Sequence, residues 1–172
     1  MVKLNKIYTR TGDDGKTGLA DGTRRLKSDA RIRAFGSIDE ANSMIGVARL
    51  YAASSPDFDA LLLNGPKSWT PLRIKSSQVA ALEAAIDRYN AELSPLNSFI
   101  LPAGNALSAH LHLARTIARR AESDLVALMQ SPDEVVNPEA LKYLNRLSDL
   151  LFVLARHANN KGADDVLWVP ST

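Results

Sequence analysis

The chain has 172 residues, 45% of them hydrophobic, with 21 Lys and Arg against 19 Asp and Glu for a formal net charge of +2. That length suits one domain with an ordinary core, residues 1–172, and the near balance of charge argues against a general nucleic-acid coat. There is no cysteine, which excludes disulfides and thiolate metal sites. No apolar run approaches the ~20 residues that span a bilayer. The start "MVKLNKIYTR" has neither secretory nor transit character, so a soluble cytoplasmic protein is expected.

The first 30 or so residues are rich in Gly, Thr, Asp and Arg and show no sustained period, so they read as loop. Within them, "TRTGDDGKTG" approaches a nucleotide phosphate loop but fails it. Gly12 and Gly15 are separated by only two residues, and Arg10 stands where the first glycine should be. The ingredients of a backbone cradle for polyphosphate remain: Gly12, Gly15 and Gly18, Lys16, and the hydroxyls of Thr9, Thr11 and Thr17. A plain surface turn would use the same residues.

Helices follow. Ser37 with Glu40 reads as a capping box, and Ile38, Ala41, Ile45 and Ala48 mark an apolar stripe, so a helix is predicted over 38–53. Residues 54–75 hold three prolines and support at most one helical turn around Leu61 to Leu63. The stripe Val79, Leu82, Ile86 and Tyr89 predicts a second helix over 77–92. "SPLNSFILPAG" breaks it, and the longest helix is expected over 105–130. After the break "SPDEVVNP", Asn137 can cap the last helix and Pro138 suits its first turn. That helix should stop near Gly162, a residue suited to left-handed backbone. No repeat and no sustained alternation is present. The fold class is all-α: four or five helices, over 37–162, in an antiparallel bundle with short connections.

The long helix carries Arg115, Arg119, Arg120, Glu122 and Asp124. Arg115, Arg119 and Glu122 share a face, where Glu122 can hold the Arg119 fork. A solvated stripe with helical ion pairs accounts for this segment alone. Three arginines so close repel one another unless an anion or acid sits among them, and guanidinium suits bidentate phosphate contacts. Asp39 and Glu40 read as first-turn acids that favour the helix dipole, although Asp39 could pair with an arginine of another helix. Asn145 and Asp149 share a face that is otherwise apolar, beside Leu141 and Phe152, so a neighbour or a ligand must satisfy them. His110 and His112 point roughly 200° apart on a helix and cannot chelate one metal. The chain thus offers anion binders and no evident nucleophile; an enzyme built on it would take its nucleophile from the substrate.

"IYTRTGDDGKTGLADG", "RIRAFGSIDEANSMIG", "FILPAG", "LARTIARRAES" and "YLNRLSDLLFVLAR", in that order, resemble the PduO-type corrinoid adenosyltransferases. The resemblance covers nearly the whole chain except about 54–76. It implies a five-helix, ferritin-like bundle that assembles as a homotrimer, with ATP between subunits. It also implies transfer of the 5′-deoxyadenosyl group of ATP to the cobalt of cob(I)alamin, with release of triphosphate. Thr9, Arg10, Thr11, Gly12, Thr17 and Gly18 would hold ATP, and Lys27 would meet its phosphates. Arg119, Arg120, Glu122 and Ser123 would bind ATP from the long helix and Asn145 from the last. Asp39 would pair with Arg115 across subunits beside the corrinoid, and Phe99 would press on the lower corrin face. Mg²⁺ would travel with the triphosphate. A Co(II) reductase and an adenosylcobalamin-dependent enzyme are the implied partners, with no nucleic acid and no membrane.

Two departures stand out. "LLLNGPKSWTPLRI" replaces the family's continuation of its second bundle helix and is shorter by about twenty residues against the ~1.5 Å per residue of a full-length helix. Either that helix is shortened or the chain omits residues there. Ala103 also stands where a second glycine is common in "FILPAG". The competing reading is a non-catalytic ATP- or corrinoid-binding bundle that has lost turnover. A bundle that binds nothing is a third.

Overall fold

The computed structural model describes residues 8–52, 57, 61 and 73–169. Among them are four α-helices: α1 (Ala30–Arg49), α2 (Ser76–Asn90), α3 (Ala106–Met129) and α4 (Pro138–Ala158). A 3₁₀ turn, Asn160–Gly162, follows α4, and a small hairpin of β1 (Lys16–Gly18) and β2 (Arg24–Leu26) precedes α1. The mostly helical bundle agrees with the sequence reading. The helical turn expected at Leu61 to Leu63 lies largely outside the described residues, although Leu61 itself is helical.

Helix α1 begins two turns earlier than predicted. Asp29 caps it by accepting a hydrogen bond from the Arg31 amide at 2.8 Å. Ser37 is therefore no cap. It lies inside the helix, buried, with its hydroxyl on the Arg33 carbonyl at 3.1 Å and on the Asp124 carboxylate of α3. Asp39 and Glu40 likewise stand mid-helix and not in a first turn. Gly36 costs this helix about 1 kcal/mol of propensity, offset by a buried face of small residues, Ala34, Ala41 and Ala48, which lets α1 approach α3 closely.

The later boundaries fall near their predicted places. Gln78 closes the start of α2 by accepting from the Lys75 amide at 3.0 Å. Asn105 caps α3 through the Ser108 amide at 2.9 Å, and Asn137 caps α4 through the Glu139 amide at 3.1 Å. Helix α4 ends at Ala158; the chain then reverses through Asn160, Lys161 and Gly162 at φ 51°, 53° and 85°.

Helix α3 packs between α1 and α4, and α4 packs on α2. Pairs such as Arg120 with Glu40 and Tyr51 with His110 make α1 antiparallel to α3. Asn145 with Glu122 and Phe152 with His112 make α4 antiparallel to α3. Glu83 with Arg146 and Tyr89 with His157 make α2 parallel to α4. Leu111, Leu150, Leu151 and Leu154 fill the core between them, each worth roughly 1.5–3 kcal/mol of burial. No described helix is long and apolar enough to cross a membrane.

The hairpin corrects the reading of the first 30 residues as loop. Lys16 pairs with Leu26, Thr17 with Arg25 and Gly18 with Arg24. Strands of three residues are too short to show alternation in sequence.

Candidate functional site

The hairpin gathers one group of predicted residues. Arg10 adopts φ 61°, a strained left-handed conformation for a side-chain-bearing residue. It turns the chain so that the Thr9 and Thr11 hydroxyls meet at 2.9 Å. A Cβ on Gly12 would lie 3.1 Å from Lys27 Nζ and 3.3 Å from the Lys16 carbonyl, so glycine is what lets Lys27 lie across this loop. The Lys27 amide donates to the Gly15 carbonyl at 2.8 Å. Arg24 braces the loop from below, donating to the Thr11 carbonyl at 2.5 Å and to Asp14 at 3.0 Å. The Lys16 amide, then Arg24, hold the Asp14 carboxyl below its ordinary value. Thr17 and Gly18 follow on β1.

The second group lines an open cleft of about 640 Å³ on α3, formed by Arg119, Arg120, Glu122, Ser123 and Val126. Its polar groups divide into held and free. Arg120 pairs with Glu40 of α1, whose carboxylate raises the Arg120 pKa. Glu122 accepts from Asn145 at 3.0 Å, Asn145 accepts from Arg146 at 2.5 Å, and Arg146 pairs with Glu83 at 2.9 Å. The Ser123 hydroxyl donates to the Arg119 carbonyl at 3.1 Å. Asp124 turns away to Arg33 at 3.3 Å and to Ser37. The expectation that Glu122 holds the Arg119 fork is therefore corrected: Asn145 occupies Glu122, and no side-chain ion pair or hydrogen bond to Arg119 is found among the described residues. Asn145 is satisfied within the chain, whereas Asp149 is exposed.

Arg115, one turn before Arg119, is partly buried. Its guanidinium lies 6.0 Å from the centre of the Phe152 ring, and its buried Nε meets no hydrogen-bonding group among the described residues. Burial first, then the neighbouring Arg119 charge, lowers its pKa. Behind it, His112 is only 2% exposed and its ring meets Phe152 edge-on at 6.1 Å. Neither ring nitrogen of His112 has a hydrogen-bonding partner among the described residues. Burial first, then Arg115, pushes its pKa below the ordinary value, against an opposing effect from Asp165. His110 lies elsewhere, stacked on Tyr51 at 4.5 Å with Nδ1 on the Ala106 carbonyl at 2.6 Å. The two histidines do not converge, as their spacing predicted.

Phe99 sits in the α2–α3 connection, 80% exposed. Asp39 is exposed on α1. No hydrogen bond or ion pair among the described residues joins the hairpin group, the α3 cleft, Asp39 and Phe99 to one another. Sequence reasoning passed over three contributors: His112 as a buried support, Phe152 as the surface under Arg115, and Arg24 as the brace of the hairpin loop. The only sequence signal for His112 is helical phase, which places it within two turns of Arg115 and Arg119.

The family described as Cobalamin adenosyltransferase matches residues 7–158 of this chain. The corrinoid adenosyltransferase of Mycobacterium tuberculosis is 48% identical over 189 residues, covering 98% of this chain and 95% of its own length. That alignment is longer than the 172-residue chain, so the relative carries residues with no counterpart here. The corrinoid adenosyltransferase of Bacillus subtilis is 40% identical, covering 94% of this chain and 91% of its own. Among solved structures, a variant of the PduO-type ATP:corrinoid adenosyltransferase of Lactobacillus reuteri complexed with cobalamin and ATP superposes with a TM-score of 0.81. It is 32% identical and covers 95% of this chain and 99% of its own. A second variant of that enzyme, with an arginine replaced by lysine and complexed with ATP, superposes at 0.80 with 34% identity, covering 95% of this chain and all of its own.

Proposed function

The chain belongs to the cobalamin adenosyltransferase family, and on that premise we propose a division of labour among its residues. The activity is transfer of the 5′-deoxyadenosyl group of ATP to a corrinoid. The reduced cobalt of the substrate is the nucleophile: its electron pair forms the bond to C5′, the C5′–O bond breaks, and triphosphate leaves. The protein's tasks are therefore to place two substrates and to stabilise the leaving charge.

Arg119 carries this reading. It is the guanidinium of the cleft without a protein partner among the described residues, one turn from the partly buried Arg115. Two like charges on one helical face with no acid between them favour an anion there. Glu122 and Asn145, already bonded to each other at 3.0 Å, present a polar edge for the nucleoside. The loop of Thr9, Arg10, Thr11 and Gly12, with Lys27 above it, supplies amides, hydroxyls and a cation for the phosphates, with Thr17 and Gly18 beside it. Mg²⁺ would travel with ATP, since it prefers phosphate oxygens and water, and no cluster of three or more His, Asp or Glu among the described residues offers it a protein site. Phe99, exposed and apolar, presses on the lower corrin face and displaces the lower axial ligand.

Among the described residues no hydrogen bond or ion pair joins the hairpin loop to the α3 cleft, which supports a site completed by a second copy in a homotrimer, with Asp39 of one subunit on Arg115 of the next. A reductase that supplies Co(I) and an enzyme that consumes adenosylcobalamin are the partners this activity calls for. The test is spectral. Chemically reduced cobalamin mixed with MgATP and the protein should lose the Co(I) absorption and gain that of adenosylcobalamin. Binding of both substrates without that change would return the non-catalytic reading.

A further inference from the structure

An exposed ring keeps its place only if its backbone is held, and the tail of the chain holds that of Phe99. Ile100 pairs antiparallel with Leu167. The Trp168 amide donates to the Phe99 carbonyl at 2.8 Å, and the Leu101 amide donates to the Val166 carbonyl at 2.7 Å. The Ser98 hydroxyl donates to the Trp168 carbonyl at 3.0 Å. These bonds bracket Phe99 on both sides.

The tail is itself fastened to the core. Arg156 of α4 pairs with Asp165 at 2.8 Å, with side chains only 7% and 3% exposed. Arg156 also donates to the Ser94 carbonyl at 3.0 Å, on the near limb of the Phe99 connection. Asn159 takes the far limb: it donates to the Ala103 carbonyl at 3.1 Å, accepts from the Asn105 amide at 3.1 Å, and reaches Asp165 at 3.3 Å. Gly104, at φ 114°, makes room for it, since a Cβ there would lie 2.2 Å from Asn159 Oδ1. Both limbs of the connection and the tail thus meet at one buried ion pair. Such a pair is weak evidence for stability, because its desolvation offsets its attraction. Geometry is the better account of it.

We propose that the segment Asp165 to Trp168, anchored by Arg156, is a clamp that positions Phe99 against the lower face of the corrinoid. The proposal rests on the reading of Phe99 given above and extends it to the residues that hold its backbone. Reduction of Co(II) to Co(I) takes one electron from a reductant such as a reduced flavin, and it is eased when the lower ligand has left. A ring loosened by about 1 Å would exclude that ligand poorly. Attack of preformed Co(I) on C5′ does not need the exclusion.

Trp168→Pro tests this, since it deletes the amide that bonds the Phe99 carbonyl on an exposed segment and spares the ion pair. Hydrogen exchange at the Leu101 amide should quicken. Turnover from Co(II) with reduced flavin should fall about tenfold or more, while ATP affinity and turnover from pre-reduced Co(I) stay within about twofold. Adding Phe99→Ala should then cost nothing further. Equal losses in the two assays, no loss, or an additive double variant would overturn the clamp. If Trp168→Pro does not fold, Ser98→Ala removes one clamp bond by deleting a single hydroxyl, and the same Co(II)-selective loss, at smaller size, decides. Phe99→Ala alone separates the two ideas. A Co(II)-selective loss there without one in Trp168→Pro sinks only the clamp; no selective loss in Phe99→Ala sinks the role of the ring, and the clamp with it.

Discussion

Arg119 and Arg115 stand one turn apart on α3, yet their surroundings differ. Arg115 is partly buried over Phe152, whereas the fork of Arg119 opens on the cleft. Triphosphate gains negative charge as the C5′–O bond breaks, so a guanidinium placed on it is worth more in the transition state than in the ground state. Lysine keeps the charge and loses the planar two-pronged contact. Arg119→Lys should fold normally, bind ATP more weakly and turn over roughly 10- to 1000-fold more slowly, as ~1.4–4 kcal/mol of lost stabilisation requires. Kinetics within twofold of the parent would make Arg119 part of a solvated face. His112 offers a second test. Its folded pKa lies below 6.5, so the unfolded chain takes up the proton first, and stability is lost as pH falls below 6.5. His112→Leu should change the unfolding midpoint little at pH 7 and flatten its decline between about pH 7 and 5.5. An equal loss at every pH would mean that the ring nitrogens are hydrogen-bonded. The arginines of α3 were legible because charge repulsion makes such a cluster conspicuous. His112 was not, because burial of a polar ring depends on the face a neighbouring helix covers.

Helix α4 could be read from sequence because Asn137 caps it and Pro138 suits its first turn, and helix α3 because breaks on both sides bound a long stretch without proline or glycine. Helix α1 misled at its start. Its buried face is Ala34, Ser37 and Ala41, and small residues leave a faint apolar period, so the Ser37–Glu40 spacing set the expected start and the Asp29 cap was missed. The hairpin was missed because pairing between 16–18 and 24–26 is a property of the turn and not of either strand alone. What fastens both elements to the bundle is Glu134, in the α3–α4 connection. It accepts from Arg31 Nε at 2.6 Å and pairs with Arg25 at 3.1 Å, with its own side chain 7% exposed. The Arg31 hydrogen bond, then the charges of Arg31 and Arg25, hold its pKa below 4.5. A depressed carboxyl contributes stability that is complete above 4.5 and is lost as pH falls through the folded value. Glu134→Gln should therefore unfold at a lower temperature than the parent at pH 7, and the two melting curves should converge below about pH 4.5. A constant separation down to pH 3.5 would show that the pairs contribute nothing through charge.

At the scale of the whole molecule, the proposed pairing of Asp39 with Arg115 meets a geometric constraint. Ser37 and Ala41 face α3 of the same chain. Asp39, two residues from each, lies roughly 200° away around α1, so its own chain cannot bring it to Arg115. Phe35, one turn before Asp39, is 50% exposed on that same outer side, an apolar neighbour that suits an interface. A second copy resolves both facts. Light scattering should give a mass three times the 18.7 kDa chain, and a fully active monomer would rule the arrangement out. A sharper test uses mixed assemblies. Asp39→Ala and Arg115→Ala should each be nearly inactive as pure proteins. In a cyclic trimer each site takes Arg115 from one subunit and Asp39 from its neighbour. Random mixing of the two variants in equal amounts therefore leaves about a quarter of the sites with both residues intact. Refolding or co-expressing the two together should restore about that fraction of parental turnover. A mixture no more active than its components would mean that the two residues act within one subunit or at separate tasks, and the shared site would have to be redrawn.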